Sequence, residues 1–254
     1  MGTYAITGTA SGIGAAVAAR LRDQGDVVIG VDIRDAEIPA DLATMEGRSR
    51  AIDGIMAKCG GALAGLVTCA GVGPQFPDRA AIVSINYFAS IALVEGLGPA
   101  LEAASGSVVI VSSNSATLDA YDADLIDMML AGNETDAMRR AAELHPMTLY
   151  GGSKLALLRW MRRHSADWAR RGVRMNAVAP GFTHTAITAG GLQDPTFRQG
   201  ILDYLATIPM ARGAEPAEQA GPIVFLLNSD ASYVCGSVLY VDGGYDALVR
   251  GDRF

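Results

Sequence analysis

The stretch TGTASGIG, residues 7–14, follows a short apolar run and decides the fold. Its glycines, Gly8, Gly12 and Gly14, are spaced as in a strand that turns sharply into a helix whose N-terminal amides can hold a pyrophosphate. Gly8 would allow the tight turn, Gly12 would let the backbone approach phosphate, and Gly14 would let the helix pack closely on the strand. The stretch therefore predicts a dinucleotide site, although a glycine-rich turn also serves ordinary connections.

Asp32 follows the second apolar run, residues 27–31, where an acidic side chain can accept hydrogen bonds from the adenosine ribose hydroxyls. A carboxylate there favours NAD because it would repel the extra phosphate of NADP. Arg34, two residues further on, would partly offset that preference. The alternative is that Asp32 only starts a turn, but its position after the glycine run favours the cofactor role.

The composition is that of a globular enzyme. The chain has 254 residues, of which 50% are hydrophobic and 30 are glycine, and it carries a net charge of −7. A chain of this length can bury a full core, and we expect one domain spanning residues 1–254. A nucleic-acid-binding protein would show a basic patch, so nucleic acid is not an expected partner.

The three cysteines, Cys59, Cys69 and Cys235, are an odd number without paired spacing. This pattern supports neither a disulfide framework nor a zinc site, so we expect no bound metal and a reducing cytoplasm. The N-terminus has no basic region before an apolar segment, which argues against a secretory signal. Because no apolar stretch approaches the ~20 residues needed to cross a bilayer, we expect no membrane anchor.

Short apolar runs recur along the chain with helical segments between them. We predict strands at residues 3–7, 27–31, 66–69, 107–112, 173–178 and 238–241, and helices near 12–24, 48–59, 79–103, 148–171, 195–206 and 216–228. This alternation predicts an α/β fold, a single-domain, Rossmann-like, doubly wound parallel sheet with helices on both faces. The interval from Asp32 to Asp41 is too short for a full crossover helix, so that connection should be reduced.

Residues 114–147 interrupt the alternation. They hold an apolar cluster at 125–130 and many acidic side chains, namely Asp119, Asp122, Asp124, Asp127, Glu134, Asp136 and Glu143. Since structureless loops of this length are uncommon in compact domains, we expect one or two short helices here. The acidic side chains have no fixed ligand spacing, which favours a solvated face over a metal site.

The sequence YGGSK places Tyr150 and Lys154 four residues apart, on one face of a helix. Ser113, at the end of the fourth long apolar run, adds a hydroxyl near the carboxyl ends of the strands, where open α/β sheets bind ligands. A free tyrosine has a pKa of ~10, which Lys154 and an oxidised nicotinamide would lower. Tyr150 would then exchange a substrate's hydroxyl proton while hydride moves to or from the nicotinamide. Because side chains alternate along a strand, only one of Ser112 and Ser113 can point into this site.

Taken in order, these motifs resemble those of the short-chain dehydrogenase/reductase family over nearly the whole chain. The matching segments are TGTASGIG at 7–14, CAG at 69–71, SINYF at 84–88, Ser113, YGGSK at 150–154, PGFTHT at 180–185 and VDGG at 241–244. Several matches in the family's order make coincidence improbable.

The resemblance implies four catalytic residues. Ser113 would orient and polarise the substrate oxygen, and Tyr150 would be the catalytic acid/base. Lys154 would lower the pKa of Tyr150 and hold the nicotinamide ribose hydroxyls. Asn86 would position a water that links Lys154 to solvent, unless its side chain only bonds the backbone locally.

The resemblance also implies a set of cofactor-binding residues. The set is Gly8, Ser11, Gly12, Ile13, Gly14, Asp32, Ile33, Asp41, Leu42, Ala70, Gly71, Tyr150, Lys154, Pro180, Gly181, Thr183 and Thr185. Within it, Asp41 and Leu42 would contact the adenine, and Thr183 with Thr185 would meet the nicotinamide carboxamide.

Two features depart from the family's pattern. Cys69 stands in place of an asparagine, and a small buried hydrophobe is its more plausible role than a reactive thiol. Ser113 and Tyr150 are separated by far more residues than is usual, so the insert at 114–147 should border the substrate cleft. Its apolar side chains, Leu125, Met128 and Met129, would then cover a hydrophobic substrate.

The insert, with GVDIRDAE at 30–37, GLVTCAG at 65–71 and GLQDP at 191–195, is similar to the bacterial 3α-hydroxysteroid dehydrogenase/carbonyl reductase branch. The resemblance implies an NAD(P)-dependent oxidoreductase that interconverts a small apolar secondary alcohol and its ketone, with NAD preferred. An aromatic, coniferyl-type alcohol dehydrogenase and a non-catalytic nucleotide-sensing protein on the same fold remain as alternatives. We expect a homodimer rather than a tetramer, formed through residues 237–254, because the insert would obstruct an interface beside the Tyr150 helix.

Overall fold

Seven parallel strands form the sheet around which the chain folds, as seen in a computed structural model that describes residues 1–118 and 121–252. The strands are β1 (Thr3–Thr7), β2 (Val27–Asp32), β3 (Ile38–Pro39), β4 (Gly65–Thr68), β5 (Ser107–Val111), β6 (Arg174–Pro180) and β7 (Val238–Val241). Their order across the sheet is β3-β2-β1-β4-β5-β6-β7, so the winding direction reverses between β1 and β4. The predicted doubly wound α/β fold is confirmed.

Helices cover both faces of this sheet. They are α1 (Gly12–Asp23), α2 (Met45–Lys58), α3 (Arg79–Val83), α4 (Ser90–Gly96), α5 (Gly98–Ala103), α6 (Ala123–Leu130), α7 (Glu134–Ala141), α8 (Pro146–Arg170), α9 (Ala186–Gln193), α10 (Pro195–Thr207), α11 (Pro216–Leu227) and α12 (Tyr245–Val249). One buried apolar core includes α1 and α11, and a second, larger core includes α2, α4, α5 and α8. All five residues of β5 are buried, as expected for a parallel strand covered on both faces.

The connection between β2 and α2 is short, as predicted, and contains only the two-residue strand β3. The helix expected near 79–103 is instead divided into α3, a π-helix at Ser84–Ala89, α4 and α5. Pro99 lies in the first turn of α5, where a missing N–H costs nothing, whereas it would break a continuous helix. Helix α9 was not predicted, because its two glycines lower the helix propensity of the segment. The Thr185 side chain caps its N-terminus.

Helix α8 carries the YGGSK sequence and is 25 residues long. Pro146 occupies its first turn, and the His145 side chain accepts a hydrogen bond from the Met147 N–H at 3.3 Å. The buried face of α8 includes Leu149, Leu157 and other apolar side chains that pack into the larger core. This packing fixes the rotation of the helix and therefore the direction of its polar residues.

The insert contains two short helices, α6 and α7, in agreement with the prediction, after a 3-10 turn at Asn114–Thr117. The prediction that its apolar side chains cover a substrate is wrong for Leu125 and Met129, which are fully buried in the larger core. Met128 is half-buried against the same core. These side chains attach the insert to α8 because hydrophobic burial favours that packing over an exposed apolar surface.

The prediction of a solvated acidic face in the insert is wrong for two residues. The carboxylate of Asp122 pairs with Arg140 at 2.7 Å, and that of Glu134 pairs with Arg48 at 2.7 Å. Their side chains are only 15% and 22% exposed, so both are structural ion pairs. Asp119 lies outside the described residues.

No helix within residues 1–118 and 121–252 is both long enough and apolar enough to cross a membrane.

Candidate active site

A cleft of about 600 Å³ opens at the carboxyl ends of the strands, where open parallel sheets bind ligands. All the predicted site residues except Asn86 line it. They are Gly8, Ser11, Gly12, Ile13, Gly14, Asp32, Ile33, Asp41, Leu42, Ala70, Gly71, Ser113, Tyr150, Lys154, Pro180, Gly181, Thr183 and Thr185. Residues from seven separate segments of the chain thus meet in one crevice.

The turn between β1 and α1 requires its glycines. Gly8 has φ +77°, a conformation that side chains other than glycine rarely adopt, and a Cβ there would lie 3.0 Å from the Ala70 backbone. A Cβ on Gly14 would lie 2.1 Å from the Gly8 carbonyl oxygen, so no side chain fits. The turn leaves the first amides of α1 facing the cleft, as a pyrophosphate needs.

Asp32 lies beside this turn at the end of β2. Its Oδ2 accepts a hydrogen bond from the Ala10 N–H at 3.0 Å, and its Oδ1 accepts one from the Ile33 N–H at 2.7 Å. These bonds fix the carboxylate at the rim of the cleft. Each oxygen keeps a further lone pair, which is the capacity needed to accept bonds from two ribose hydroxyls.

The loop after β3 closes the same end of the cleft. The Asp41 carboxylate accepts a hydrogen bond from the Ala43 N–H at 3.0 Å, which shapes the turn, and Leu42 is buried. Arg48 of α2 donates from Nε to the Leu42 carbonyl oxygen at 2.9 Å. The loop is therefore held by an internal contact and by a side chain of the next helix.

Tyr150 and Lys154 lie one turn apart on α8, with the Lys154 ammonium 5.9 Å from the centre of the Tyr150 ring. The ammonium donates to the Val111 backbone oxygen at 3.2 Å. Burial lowers the pKa of Lys154 to about 8. Burial also raises the pKa of Tyr150, and a hydrogen bond from Ser113 only partly opposes it.

That result differs from the expected lowering of the Tyr150 pKa by Lys154. Removing the phenol from water disfavours its anion more than the neighbouring side chains of the chain itself favour it. A positive charge added close to the phenol, such as an oxidised nicotinamide, would act in the direction of a lower pKa.

The two neighbouring serines at the end of β5 have different partners. The Ser112 hydroxyl donates to the backbone oxygen of Lys154 at 2.9 Å, so it joins the strand to α8. The Ser113 oxygen accepts from the Ser115 N–H at 3.1 Å, so its own proton can be donated within the cleft, to Tyr150 or to a substrate oxygen. Ser113 is therefore the better placed of the two to bind a substrate oxygen.

Asn114, the next residue, connects the serine to two distant segments. Its amide nitrogen donates to the Tyr204 hydroxyl at 2.7 Å and to the Asp242 carboxylate at 3.3 Å. Tyr204 belongs to α10 and Asp242 follows β7. The loop that carries Ser113 is thus tied to the far side of the cleft.

Asn86 lies behind the cleft wall, within the π-helix, and is fully buried. Its Oδ1 accepts from the Val72 N–H at 2.9 Å and its Nδ2 donates to the Val72 carbonyl oxygen at 3.0 Å. A Cβ on Gly71 would lie 3.0 Å from Asn86 Oδ1 and 3.4 Å from Lys154 Nζ. Asn86 Oδ1 and Lys154 Nζ therefore both border Gly71, and a side chain at residue 71 would crowd them.

The segment after β6 forms the opposite wall. The Thr183 hydroxyl donates to the Gly181 carbonyl oxygen at 3.1 Å and accepts from Gln219 at 3.2 Å. Thr185 begins α9, with its hydroxyl accepting from the Thr188 N–H. These contacts fix Thr183 and Thr185, the two residues that the resemblance assigns to the nicotinamide carboxamide, in the wall of the cleft.

The sequence did not reveal the apolar rim of the cleft, which Phe76, Ile85 and Ile187 help to form. Phe76 and Ile187 are 36% and 38% exposed. Gln75 donates from its amide to the Ile187 backbone oxygen at 2.7 Å and so bridges the two sides of the cleft. Phe76 follows the CAG segment closely, but no local pattern in the sequence links it to residue 187.

The cleft fits a nicotinamide dinucleotide. The positive-φ glycine turn, the Asp32 carboxylate and the Lys154 ammonium line the same crevice, and they could hold the pyrophosphate, the adenosine ribose and the nicotinamide ribose, respectively. Over the described residues, no three His, Cys, Asp or Glu side chains lie close enough together to hold a metal ion. The arrangement can hold a cofactor and move a proton to or from a substrate oxygen.

Comparisons with known proteins agree with this geometry. A family profile described as short chain dehydrogenase matches residues 3–122, and one described as enoyl-(acyl carrier protein) reductase matches residues 134–246. The chain is 41% identical to the 3-alpha-hydroxysteroid dehydrogenase/carbonyl reductase of Comamonas testosteroni over 259 aligned residues, which cover 100% of both chains.

Solved structures give the same result. The 3-alpha-hydroxysteroid dehydrogenase of Pseudomonas sp. B-0831, solved with NADH, is 43% identical with a TM-score of 0.96, and the match covers 99% of this chain and 100% of that one. Levodione reductase is 25% identical with a TM-score of 0.78, and the match covers 96% of this chain and 97% of that one.

Proposed function

This chain belongs to the short-chain dehydrogenase/reductase family of oxidoreductases, and from that membership we propose that it interconverts an apolar secondary alcohol and its ketone with NAD as the preferred cofactor. The observation that carries the proposal is the placement of Tyr150 and Lys154 one helical turn apart in the same cleft as Ser113. A phenol, an ammonium and a hydroxyl in this arrangement can transfer a proton to or from an alcohol oxygen.

The proposed chemistry divides between the chain and its cofactor. Ser113 donates a hydrogen bond to the substrate oxygen and orients it. Tyr150 gives its phenolic proton to that oxygen in ketone reduction and accepts it back in alcohol oxidation. Lys154 holds a ribose. The hydrogen bond from Ser113 and, when it is bound, the positive charge of an oxidised nicotinamide favour the phenolate of Tyr150. When bound, the nicotinamide supplies or accepts the hydride.

Asn86 completes the proposed catalytic set by its position behind Lys154. Its bonds to Val72 hold the chain beside Gly71, and its Oδ1 and the Lys154 ammonium both border that glycine. We propose that this amide keeps a solvent-linked path for protons open next to Lys154.

The preference for NAD rests on Asp32. Its carboxylate is held at the rim by Ala10 and Ile33, where it would accept bonds from ribose hydroxyls. A 2′-phosphate at that place would meet a fixed negative charge, with only the exposed Arg34 to offset it. NADP is therefore the proposed poorer cofactor.

The proposed substrate is a 3α-hydroxysteroid or a similarly bulky apolar ketone. Support comes from the apolar rim formed by Phe76, Ile85 and Ile187, and from the similarity over the full length to the Comamonas testosteroni protein. A flat, rigid, apolar molecule buries its surface against such a rim without losing much conformational freedom.

We propose that the insert borders the substrate side of this cleft through its ends. It begins at Asn114, directly after Ser113, and leads into the helix that carries Tyr150. A shift of the insert would therefore change the positions of both Ser113 and Tyr150.

The proposed assembly is a homodimer formed through residues 237–252, with residues 253 and 254 outside the described part of the chain. Strand β7 lies at the edge of the sheet, and Leu239, Leu248 and Val249 are exposed beside it. We propose the cytoplasm as the location, because all three cysteines are free thiols. Light scattering that found a stable monomer would exclude the dimer.

A substrate screen tests the proposal. The purified protein would be assayed with NAD and NADP on a 3α-hydroxysteroid, its 3β epimer as the matched control, coniferyl alcohol and a linear secondary alcohol. We expect turnover of the 3α epimer with NAD that exceeds each of the others. Preference for coniferyl alcohol would overturn the proposed steroid substrate in favour of an aromatic alcohol. NAD binding without turnover of any alcohol would support the alternative of a non-catalytic nucleotide-sensing protein.

A further inference from the structure

Arg48 of α2 is a buried arginine, with 5% of its surface exposed. Its guanidinium donates to three backbone oxygens: Leu42 at 2.9 Å, Ala43 at 3.4 Å and Ser84 at 3.2 Å. Leu42 and Ala43 line the cofactor cleft, at the end proposed for the adenine. One buried cation therefore holds residues 41–44, here called the adenine loop.

The charge of Arg48 is balanced by the insert. Glu134, at the start of α7, accepts two bonds of 2.7 Å, from Nη1 and Nη2 of Arg48. This bidentate geometry is the strong form of an arginine–carboxylate pair, and it fixes the plane of the guanidinium. Burial would raise the pKa of Glu134, but the bonds from Arg48 and Ser84 outweigh it and hold the pKa below its ordinary value.

Ser84 is the third member of the group. Its hydroxyl donates to Glu134 Oε1 at 2.8 Å, while its backbone oxygen accepts from Arg48. Ser84 begins the π-helix that carries Asn86. The carboxylate of Glu134 thus contacts, directly or through Arg48, both the adenine loop and the helix behind Lys154.

We propose that Glu134 is a positioning residue for the cofactor, acting through Arg48 on the backbone at Leu42 and Ala43. The insert then serves the adenine end of the cleft, more than 80 residues along the sequence from the loop it orders. Removing the carboxylate leaves Arg48 as a buried cation without its counter-charge, so the guanidinium turns toward water and releases the two carbonyls. This inference rests on the proposed binding of NAD.

The matched control is the second ion pair of the insert. Asp122 pairs with Arg140 at 2.7 Å and caps α6, and both of its side-chain partners, Arg140 and Leu125, belong to the insert. Asp122→Asn weakens the insert without touching Arg48. Glu134→Gln keeps the shape of the side chain and removes its charge.

The experiment measures NADH and ADP-ribose binding to wild type, Glu134→Gln and Asp122→Asn by fluorescence titration and calorimetry. We expect Glu134→Gln to raise the Kd for both ligands about fivefold to tenfold, in the lower range of couplings between linked sites. Asp122→Asn should leave both Kd values within about twofold of wild type. Equal values in wild type and Glu134→Gln, or equal losses in the two variants, would overturn the inference.

A second measurement needs no cofactor. Hydrogen exchange of the free protein should be faster at residues 41–44 in Glu134→Gln than in wild type or Asp122→Asn. Unchanged exchange there would also overturn the inference, whereas failure of the wild type to bind NADH would instead overturn the proposed function. If Glu134→Gln does not fold, Ser84→Ala decides by the same measurements, because it removes only the hydroxyl bond to Glu134: faster exchange at 41–44 supports the inference and unchanged exchange refutes it.

Discussion

The Lys154 ammonium donates to the Val111 backbone oxygen at 3.2 Å, so the side chain reaches from α8 to the end of β5. Ser112 makes the reciprocal contact, since its hydroxyl donates to the Lys154 backbone oxygen at 2.9 Å. These two bonds lock the helix against the strand. Ser113 follows Ser112 and Tyr150 lies on α8, so the two bonds fix the positions of Ser113 and Tyr150 relative to each other at the cleft.

The buried position of Lys154 predicts a dependence of stability on pH. Burial lowers its pKa from 10.5 to about 8. Below that pH the lysine is charged in both the folded and the unfolded chain, and its burial costs roughly 3 kcal/mol. As the pH rises further, the folded chain loses the proton first, so the unfolded chain binds more protons and stability increases.

Urea unfolding of wild type and Lys154→Met at pH 7.5 and 9.5 measures this effect. We expect the free energy of unfolding of wild type to rise by about 2 kcal/mol relative to the variant between these values. Comparing the two chains cancels the groups that titrate independently of Lys154. The thiol of Cys69, whose pKa the Lys154 charge lowers, is removed by carrying Cys69→Ser in both chains. A constant difference would show that Lys154 is solvated and not at the bottom of the cleft.

Gly71→Ala should reduce activity because of what surrounds that glycine. The added methyl group would lie 3.0 Å from Asn86 Oδ1 and 3.4 Å from Lys154 Nζ, so one of these groups must move. We expect a loss of stability of about 1–3 kcal/mol from overpacking and a fall in kcat/KM of about tenfold or more, equivalent to ~1.4 kcal/mol.

Gly200→Ala is the control for the previous substitution. It lies in α10 with no atoms within 4 Å of the added methyl group, so stability should rise by about 0.5–1 kcal/mol with activity unchanged. Wild-type kinetics in Gly71→Ala would mean that Asn86 and Lys154 do not need their observed positions.

Asp32→Ser should weaken the preference for NAD. A hydrogen bond to a charged group contributes about 1.5–3 kcal/mol, so kcat/KM with NAD should fall about tenfold or more. The relative use of NADP should increase because the repelling charge is gone. Asp35→Asn, at an exposed position with φ 52°, should behave as wild type because asparagine tolerates that conformation. An unchanged ratio of NAD to NADP in Asp32→Ser would place the ribose elsewhere.

The environment of Cys69 should make it a poor nucleophile. Burial raises the pKa of its thiol to about 12, and the opposing charge of Lys154 does not overcome this. At pH 8, iodoacetamide should therefore modify the exposed Cys235 and leave Cys69 and the buried Cys59 largely unmodified. Peptide mass spectrometry locates the label, and Cys235→Ser should take up little. Rapid labelling of Cys69 would contradict the structure.

The sequence predicted many of the residues that line the cleft because their local geometry follows from short motifs. The glycine turn, Asp32 and the pair Tyr150 and Lys154 each follow from the residues next to them. Their convergence in one cleft follows in turn from parallel strands, whose carboxyl ends meet at one edge.

The remaining features depend on partners distant in the sequence. From the sequence, Glu134 was expected on a solvated face, but in the fold it pairs with Arg48. Leu125 was expected to contact substrate, but it is buried in the larger core. The π-helix around Asn86 and the bridge from Gln75 to Ile187 likewise have no local signal. Such contacts depend on which distant segments the fold packs together, so no short stretch of sequence indicates them.

Hydride transfer by wild type and Tyr150→Phe, with NADH affinity determined on the same samples, tests most directly whether Tyr150 is the catalytic acid/base. We expect turnover in wild type. In the variant we expect an NADH Kd within about twofold of wild type and turnover reduced by roughly 10²–10⁴-fold, the range of a lost general acid. Near-normal turnover in Tyr150→Phe, or NADH binding without turnover in either protein, would contradict that role.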